Sequence, residues 1–275
     1  MRFSITAICD KVGMTRQNYY ARRKHREKEA FDAELIMSRV EGERRIQPRL
    51  GGRKVLKLIK PELVKAGVKI GRDRFFDLLR VNDALIEKKK SKPRTTNSRH
   101  SLPVCQNLIK DLTLDASNQV WVGDITYIDT DEGWMYAALI TDLYSRKIVG
   151  AHISDSLETE GCVNALQQAV KEMPAGASPI HHSDRGCQYC SHQYAKHARS
   201  YGLEMSMTQE MHCYENAVAE RVNGILKDEY DLDCTFRNKK QAEHAFRQAV
   251  HLYNYRRPHL MLDYNFPGTI HQKAA

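Results

Sequence analysis

A chain of 275 residues, 41% hydrophobic and 28% charged, is long enough to bury a core in one or two domains. No apolar run reaches the roughly 18–20 residues of a membrane-spanning helix, and no signal-peptide core follows Met1, which reads against a secreted or membrane protein. The formal charge of +9 is unevenly divided: residues 1–110 carry 28 Lys and Arg against 12 Asp and Glu, and the remainder carries 15 against 22. A basic front suited to phosphates and an acidic back suited to a cation are implied. Seven scattered cysteines, an odd number, read as reduced thiols of a cytoplasmic protein.

Residues 4–24 read as two short helices around a turn at Gly13, with Ile5, Ile8, Val12, Met14 and Tyr19 apolar and Cys9 small at the crossing. Thr15 can cap the second helix, whose donor-rich start is Arg16, Gln17 and Asn18. This is a helix-turn-helix pattern with those three side chains as candidate DNA contacts, although an ordinary helical hairpin fits it too. Val55, Leu56, Ile59 and Leu63 form a second helical stripe that Pro61 is expected to kink or restart, and Gly67 ends it. Phe75, Leu78 and Leu79 mark the next helix, with Arg72, Arg74 and Arg80 alongside. Residues 87–99, with Lys88, Lys89 and Lys90, lack periodicity and read as a basic linker able to follow a phosphate backbone.

Strands are expected at 119–129, 134–143, 147–154, 179–184 and 203–207, from their β-branched and aromatic content and the turns between them. Helices are expected at 158–172, 191–201 and 216–230. The order β-β-β-α-β-α-β-α is that of an α/β, ribonuclease-H-like core. The organisation read from the chain is a helix-turn-helix-like region (1–45), a second helical DNA-binding unit (46–86), a linker (87–110), the catalytic core (111–235) and a C-terminal helix and tail (236–275).

Asp124 falls in mid-strand and Asp184 at a strand end, and an ionised carboxylate in a buried strand is costly unless paired or bound to metal. On the 216–230 helix, Asn216, Glu220, Asn223, Gly224 and Lys227 share one polar stripe opposite Val218, Val222 and Ile225. Gly224 would admit a DNA backbone, and Lys227 could meet a phosphate. Two aspartates and a glutamate suit Mg²⁺, which prefers oxygen ligands; two ions could act together on a phosphodiester, with Mn²⁺ as a substitute. Glu215 reads as a cap before the helix. Glu229, about 900° of rotation beyond Glu220, belongs on the apolar side, where it cannot readily share an ion with Asp184, so Glu229→Gln is expected to retain most catalysis.

The segments WVGDITYID, EGWMYAALITDLYSRKIVG, HHSDRGCQY, ENAVAERVNGILKDEY and YNYRRPH, in this order, resemble the OrfB-type, integrase-core transposases of the bacterial insertion-sequence family numbered three. Thirty-five residues separate Asp184 from Glu220, the spacing of that family's DD(35)E pattern. The resemblance implies that Asp124, Asp184 and Glu220 form a metal-binding catalytic triad. It also implies metal-dependent cutting and joining of double-stranded DNA at element terminal repeats and target sites. A homo-oligomer in the DNA complex, an upstream-frame product or fusion as partner, and a cytoplasmic, nucleoid-associated location are further expectations. A DNA-binding protein with a metal-free core and a metal-dependent nuclease are the competing classes.

His181, His182, Cys187, Cys190 and His192 invite a zinc reading, which is disfavoured because a second clean ligand pair at finger spacing is missing. Asp142, at a strand end before a turn, is expected to bond the Ser145–Arg146 turn. In YNYRRPH, contacts of Arg256 and His259 with DNA compete with a packing role for the segment.

Overall fold

The computed structural model describes residues 4–87, 103–209 and 216–274, so the expected contacts at Lys88, Lys89 and Lys90, and Glu215, lie outside the described residues. The chain divides into two compact units, one of residues 4–46 and 50–86 and one of 47–49 and 87–274.

In the first unit, helix α1 (Ile5–Val12) starts at Ser4, whose hydroxyl accepts from the Ala7 N–H at 3.2 Å, and stops at Gly13. Thr15 caps α2 (Arg16–Ile46) by accepting from the Asn18 N–H at 3.1 Å. The second helix is not short: it runs 31 residues. Nothing between Arg16 and Ile46 breaks it, since the stretch lacks proline and carries i,i+4 pairs such as Arg23–Glu27. Only Cys9 of α1 is buried, and α2 buries only Ile36 and Val40. Helix α3 (Gly52–Lys65) runs unbroken through Pro61, so no new helix begins there. Pro61 lies on the exposed side, and the carbonyl that loses its donor belongs to exposed Lys57, where water can replace the bond. Helix α4 (Arg72–Val81) closes the unit. Ile36, Val40, Leu50, Val55, Ile59, Leu63, Phe75 and Leu79 form one core, so the two helical regions read separately from the sequence share it.

The second unit is built on a five-stranded sheet of order β3-β2-β1-β4-β5, with β1 (Val120–Ile128), β2 (Met135–Asp142), β3 (Ile148–Ser154), β4 (Ile180–Ser183) and β5 (Glu204–Met207). The first three strands are antiparallel, whereas β4 lies parallel to β1 and β5 parallel to β4. Alternation along β1 sends Trp121 to one face and Ile128 to the other. Trp121, Ile140 and Val149 pack with Leu166 of α5 (Thr159–Lys171) and, beyond the short α6 (Cys187–Cys190), with Tyr194 of α7 (His192–Ser200). Ile128, Leu139, Ile148 and Ile153 pack with Val222 and Leu226 of α8 (Ala217–Glu229) and with Phe246 and Tyr253 of α9 (Lys239–Tyr255).

Segment 236–275, read from the sequence as a helix and a tail, instead forms two packed helices, α9 and α10 (Pro267–Lys273). Asn254 replaces a strand neighbour: its amide accepts from the Ile148 N–H and donates to the Ile148 carbonyl, both at 2.9 Å. Asp142 is fully buried and bonds the turn as expected, accepting from the Ser145 N–H and hydroxyl and from the Asn118 N–H at 2.6–2.7 Å. Burial opposes its ionisation, but the His271 imidazole 3.8 Å away and the hydrogen bonds from Ser145 and Asn118 outweigh that, and its carboxyl lies below the usual range.

Gly150 sets how closely α5 approaches the sheet. A Cβ there would stand 2.2 Å from the Ala165 carbonyl oxygen, which cannot move without shifting the helix. Gly150→Ala is therefore expected to cost about 1–3 kcal/mol, the usual range for overpacking, and to lower the Tm measured by scanning calorimetry.

Candidate active site

The register of the sheet builds the site. On β1, Gly123 pairs with Ser183 of parallel β4, so the next residues on each strand, Asp124 and Asp184, lie side by side where β4 ends. Gly123 has no room for a side chain. A Cβ would approach the His181 imidazole to 2.9 Å and the Tyr189 ring to 3.2 Å, so both rings pack directly under the strand that carries Asp124. His181 is buried, bonded to the Tyr194 hydroxyl at 2.7 Å, and held neutral because burial pushes it down to about 4.

Helix α8 lies across the face that carries Asp124. Its N-cap Asn216 donates to the Gly123 carbonyl at 3.2 Å, and Asn223 donates to Oδ2 of Asp124 at 2.8 Å. Glu220 falls between these two on the same helical stripe, which turns it toward β1. Oδ1 of Asp124 accepts from the Ile125 N–H at 2.9 Å, and Oδ1 of Asp184 accepts from the Gly186 N–H at 2.9 Å. Arg185 binds the neighbouring backbone, donating to the carbonyls of Thr208 and Gln209 at 2.8 and 2.6 Å.

Electrostatics set Asp124 apart. Burial, then the charge of Asp184, then that of Glu220 push its carboxyl up to about 7, against the smaller opposing pull of the Ile125 and Asn223 donors. Among the described residues no three His, Cys, Asp or Glu side chains converge tightly enough to hold one ion; Asp184 exerts the stronger field on Asp124 and Glu220 the weaker. The donor set nevertheless fits a hard divalent cation, because it consists of carboxylate oxygens whose mutual repulsion a cation would relieve.

The histidine and cysteine cluster disperses in space. Cys187 is exposed, Cys190 is buried against Met207, and His182 bonds Ser206 at 2.9 Å. Arg16, Gln17 and Asn18 are exposed at the start of α2. Arg72 and Arg74 are exposed and paired with Asp73 and Glu29, while Lys227 is partly buried on α8. Asn223 stands on the polar stripe of the sequence without an assigned role; its place three residues after Glu220 is the available signal. YNYRRPH takes the packing role in part: Tyr253 is buried, and Arg257 grips Glu229 through two bonds of 2.8 Å.

An integrase core domain model matches residues 115–213, and a second integrase core domain model matches residues 201–267. The 31 kDa protein of insertion element IS600 from Shigella sonnei is 33% identical over 270 residues, covering 97% of this chain and 98% of that protein. The transposase for insertion sequence element IS629 from the same organism is 32% identical over 197 residues, covering 71% of this chain and 66% of the relative. Transposase InsF for insertion sequence IS3A from Escherichia coli (strain K12) is 40% identical over 131 residues, covering 47% and 46%. A solved HTLV-2 integrase catalytic core domain in complex with magnesium is similar with a TM-score of 0.46 and 19% identity, covering 57% of this chain and 97% of that one.

The class is thus the integrase core with its ribonuclease-H-like sheet. The chain belongs to the integrase-core transposases of the bacterial insertion-sequence family numbered three. Its activity is DNA transposition by a polynucleotidyl transferase, in a class that depends on a divalent metal.

Glu229 has a structural role that the sequence did not announce. It lies away from the Glu220 stripe, as its rotation required, and it is half of a buried ion pair. Glu229→Gln leaves the buried Arg257 guanidinium without its counter-charge, a loss of about 3–5 kcal/mol. A chemical-denaturation midpoint well below that of the wild type is the expected result, with any residual folded protein still competent in catalysis.

Proposed function

We propose that this chain cuts and joins DNA strands at insertion-sequence ends, with Asp124, Asp184 and Glu220 as the metal-holding catalytic carboxylates. The observation that carries this reading is the parallel register that sets Asp184 beside Asp124, on the face crossed by Glu220 of α8. Mg²⁺ is the expected ion, two per site, because every donor is a carboxylate oxygen; Mn²⁺ satisfies the same donors. When bound, such ions supply Lewis-acid polarisation of the phosphodiester and a more acidic attacking hydroxyl or water. Asn223 fixes the rotation of the Asp124 carboxylate, and the Gly186 N–H does the same for Asp184. Gly224 meets nothing within 4 Å of where a Cβ would be, which leaves room beside Lys227 for a DNA backbone.

The basic front supplies affinity in this reading. Arg16, Gln17 and Asn18 of the helix-turn-helix-like region (1–45), Arg72 and Arg74 of the second unit (46–86), and Lys88, Lys89 and Lys90 of the linker (87–110) contact terminal-repeat DNA. The core (111–235) with its C-terminal segment (236–275) carries the chemistry. Joining two element ends to one target calls for more than one copy, so a homo-oligomer forms on DNA, with an upstream-frame product or fusion as a further partner. No helix among the described residues is long and apolar enough to cross a membrane, in keeping with a cytoplasmic, nucleoid-associated site of action.

Asp124→Asn, Asp184→Asn and Glu220→Gln are each expected to abolish end cleavage in Mg²⁺ while DNA affinity stays nearly unchanged, whereas Glu215→Gln retains most activity. Measurable cleavage by any of the first three at ordinary Mg²⁺ would count against the assignment.

Stability offers a second readout. A carboxyl pushed up to about 7 stabilises the folded state while protonated, so the metal-free protein keeps that contribution below about pH 4 and loses it as pH rises through 7. Asp124→Asn should therefore raise the metal-free Tm by several degrees at pH 8 and hardly at all at pH 4. Mg²⁺ should raise the wild-type Tm at pH 8 and leave that of the variant unmoved.

A fragment of residues 1–100 should bind duplex DNA with a steep salt dependence, and a fragment of residues 111–275 only weakly. Fluorescence anisotropy over a salt series tests this; equal affinities or a flat salt response would refute the division of labour.

A further inference from the structure

Charge is distributed unequally between the two short helices of the first unit. Helix α3 carries five Lys and Arg against one Glu, whereas α4 carries three Arg against two Asp. Every arginine of α4 is paired: Arg72 with Asp73 at 2.8 Å, Arg74 with Glu29, and Arg80 with Asp77 at 2.5 Å. On α3, by contrast, Arg53, Lys57 and Lys60 are exposed, and none of them has an ion-pair partner among the described residues. At 100° per residue these three lie within about 60° of one another, turned away from buried Val55, Ile59 and Leu63. The single acid of the helix, Glu62, stands about half a turn from the row and pairs with Arg39 of α2 at 3.2 Å.

The chemistry of this face is one-sided. From Gly52 to Gly71 every side chain able to hydrogen-bond is a donor, Glu62 excepted. Protein surfaces mix donors with acceptors, but the oxygens of an ionised phosphodiester only accept, so a donor-only face is complementary to a phosphate backbone. The row offers no acceptor for the amino groups on base edges, and it therefore does not read them. Arg53 to Lys60 spans seven residues, about 10 Å of helix axis. One strand of a duplex presents about three phosphates over that length, at about 3.4 Å each. Beyond Lys60 the positive charge continues to Lys69, which lines an open cavity of about 350 Å³ with Lys60 and Gly71. Gly71 begins α4 without a side chain to cap it, so the first N–H groups of that helix add donors at this end.

We infer that the outer face of α3, carrying Arg53, Lys57 and Lys60, holds the phosphate backbone of duplex DNA without reading its sequence. The inference rests on the proposed function and moves the charge of the second helical region from α4 to α3. Arg72 and Arg74 bring carboxylates with them, whose repulsion of phosphate offsets much of the attraction that each guanidinium supplies. The cations of α3 bring none, and they release counterions in full.

The test uses the full-length chain in Ca²⁺ and two variants, Arg53→Gln/Lys57→Gln/Lys60→Gln and Arg72→Gln/Arg74→Gln. Fluorescence anisotropy over a salt series measures binding to a duplex of the element's terminal sequence and to a duplex of shuffled sequence. Each phosphate neutralised contributes about 0.9 to the slope of log K against log salt. The triple variant should lower that slope by about 2–3 on both duplexes, and the double variant by less than about one. The substituted side chains of α3 are exposed, so the melting temperature of the triple variant should stay within about 2 °C of wild type. An unchanged slope in the triple variant, with wild-type binding intact, overturns this inference alone. A loss confined to the terminal duplex shows base reading, and a loss as deep in the double variant puts the charge on α4; either result overturns it. A wild-type chain that binds neither duplex overturns it together with the functional reading. A changed sedimentation coefficient of the triple variant without DNA assigns the row to a protein partner, and also overturns it.

Discussion

The parallel pairing of β4 with β1 is the constraint on which the second unit turns. It places two carboxylates on adjacent strands at the same level of the sheet, where like charges repel and burial strengthens the repulsion. A flexible loop would separate them. A central strand hydrogen-bonded on both edges cannot, because moving Asp124 away from Asp184 means breaking the ladder to β2 or to β4. Helix α8 tightens the arrangement further, since Asn216 and Asn223 fasten it to the backbone of Gly123 and the carboxylate of Asp124. The fold thus holds in place an electrostatic conflict that a divalent cation would resolve, and the surrounding apolar packing offsets its cost.

Three carboxylates withdrawn from water show why this conflict marks a site and not a structural bond. Asp142 collects donors from Ser145 and Asn118, and its proton is lost more readily than usual. Glu229 has Arg257 on both oxygens. Each is satisfied by its own surroundings. Asp124 has donors as well, but burial and two neighbouring acids outweigh them. Acids that stabilise a fold are surrounded by donors, and an acid pushed upward by other acids awaits a positive charge from outside.

Much of this is legible in the chain. The five strands fall within a residue or two of the positions read from their β-branched and aromatic content, because alternation on a two-layered sheet leaves a strong imprint. The stripe of Asn216, Glu220 and Asn223 follows from helical rotation alone. The length of α2 does not, since absence of breakers is a weaker signal than their presence, nor does the continuation of α3 through Pro61, whose side of the helix is exposed. The cluster at 181–192 misleads for a different reason: proximity in sequence groups side chains that alternation and the turn at Gly186 send to opposite environments. Arg257 and Glu229 lie 28 residues apart in sequence, and no local pattern announces a pair that only the packing of α8 against the segment after α9 creates.

In the proposed function the charge division along the chain gives the basic front and the residues after position 110 complementary physical roles. A core with 22 acidic against 15 basic residues after position 110 gains little from DNA phosphates on its own, and its acidic centre adds a local barrier to a polyanion. In the proposed function affinity then comes from the basic front, whose counterion release is indifferent to what happens at the carboxylates, and holding is separate from cutting. Cations admitted to the acidic centre would remove the barrier only where the reactive strand lies, so that DNA held anywhere else on the core meets a surface that does not attract it. In such a design the acidic excess of the core contributes to selectivity, because it disfavours every encounter that does not deliver a strand to Asp124 and Asp184.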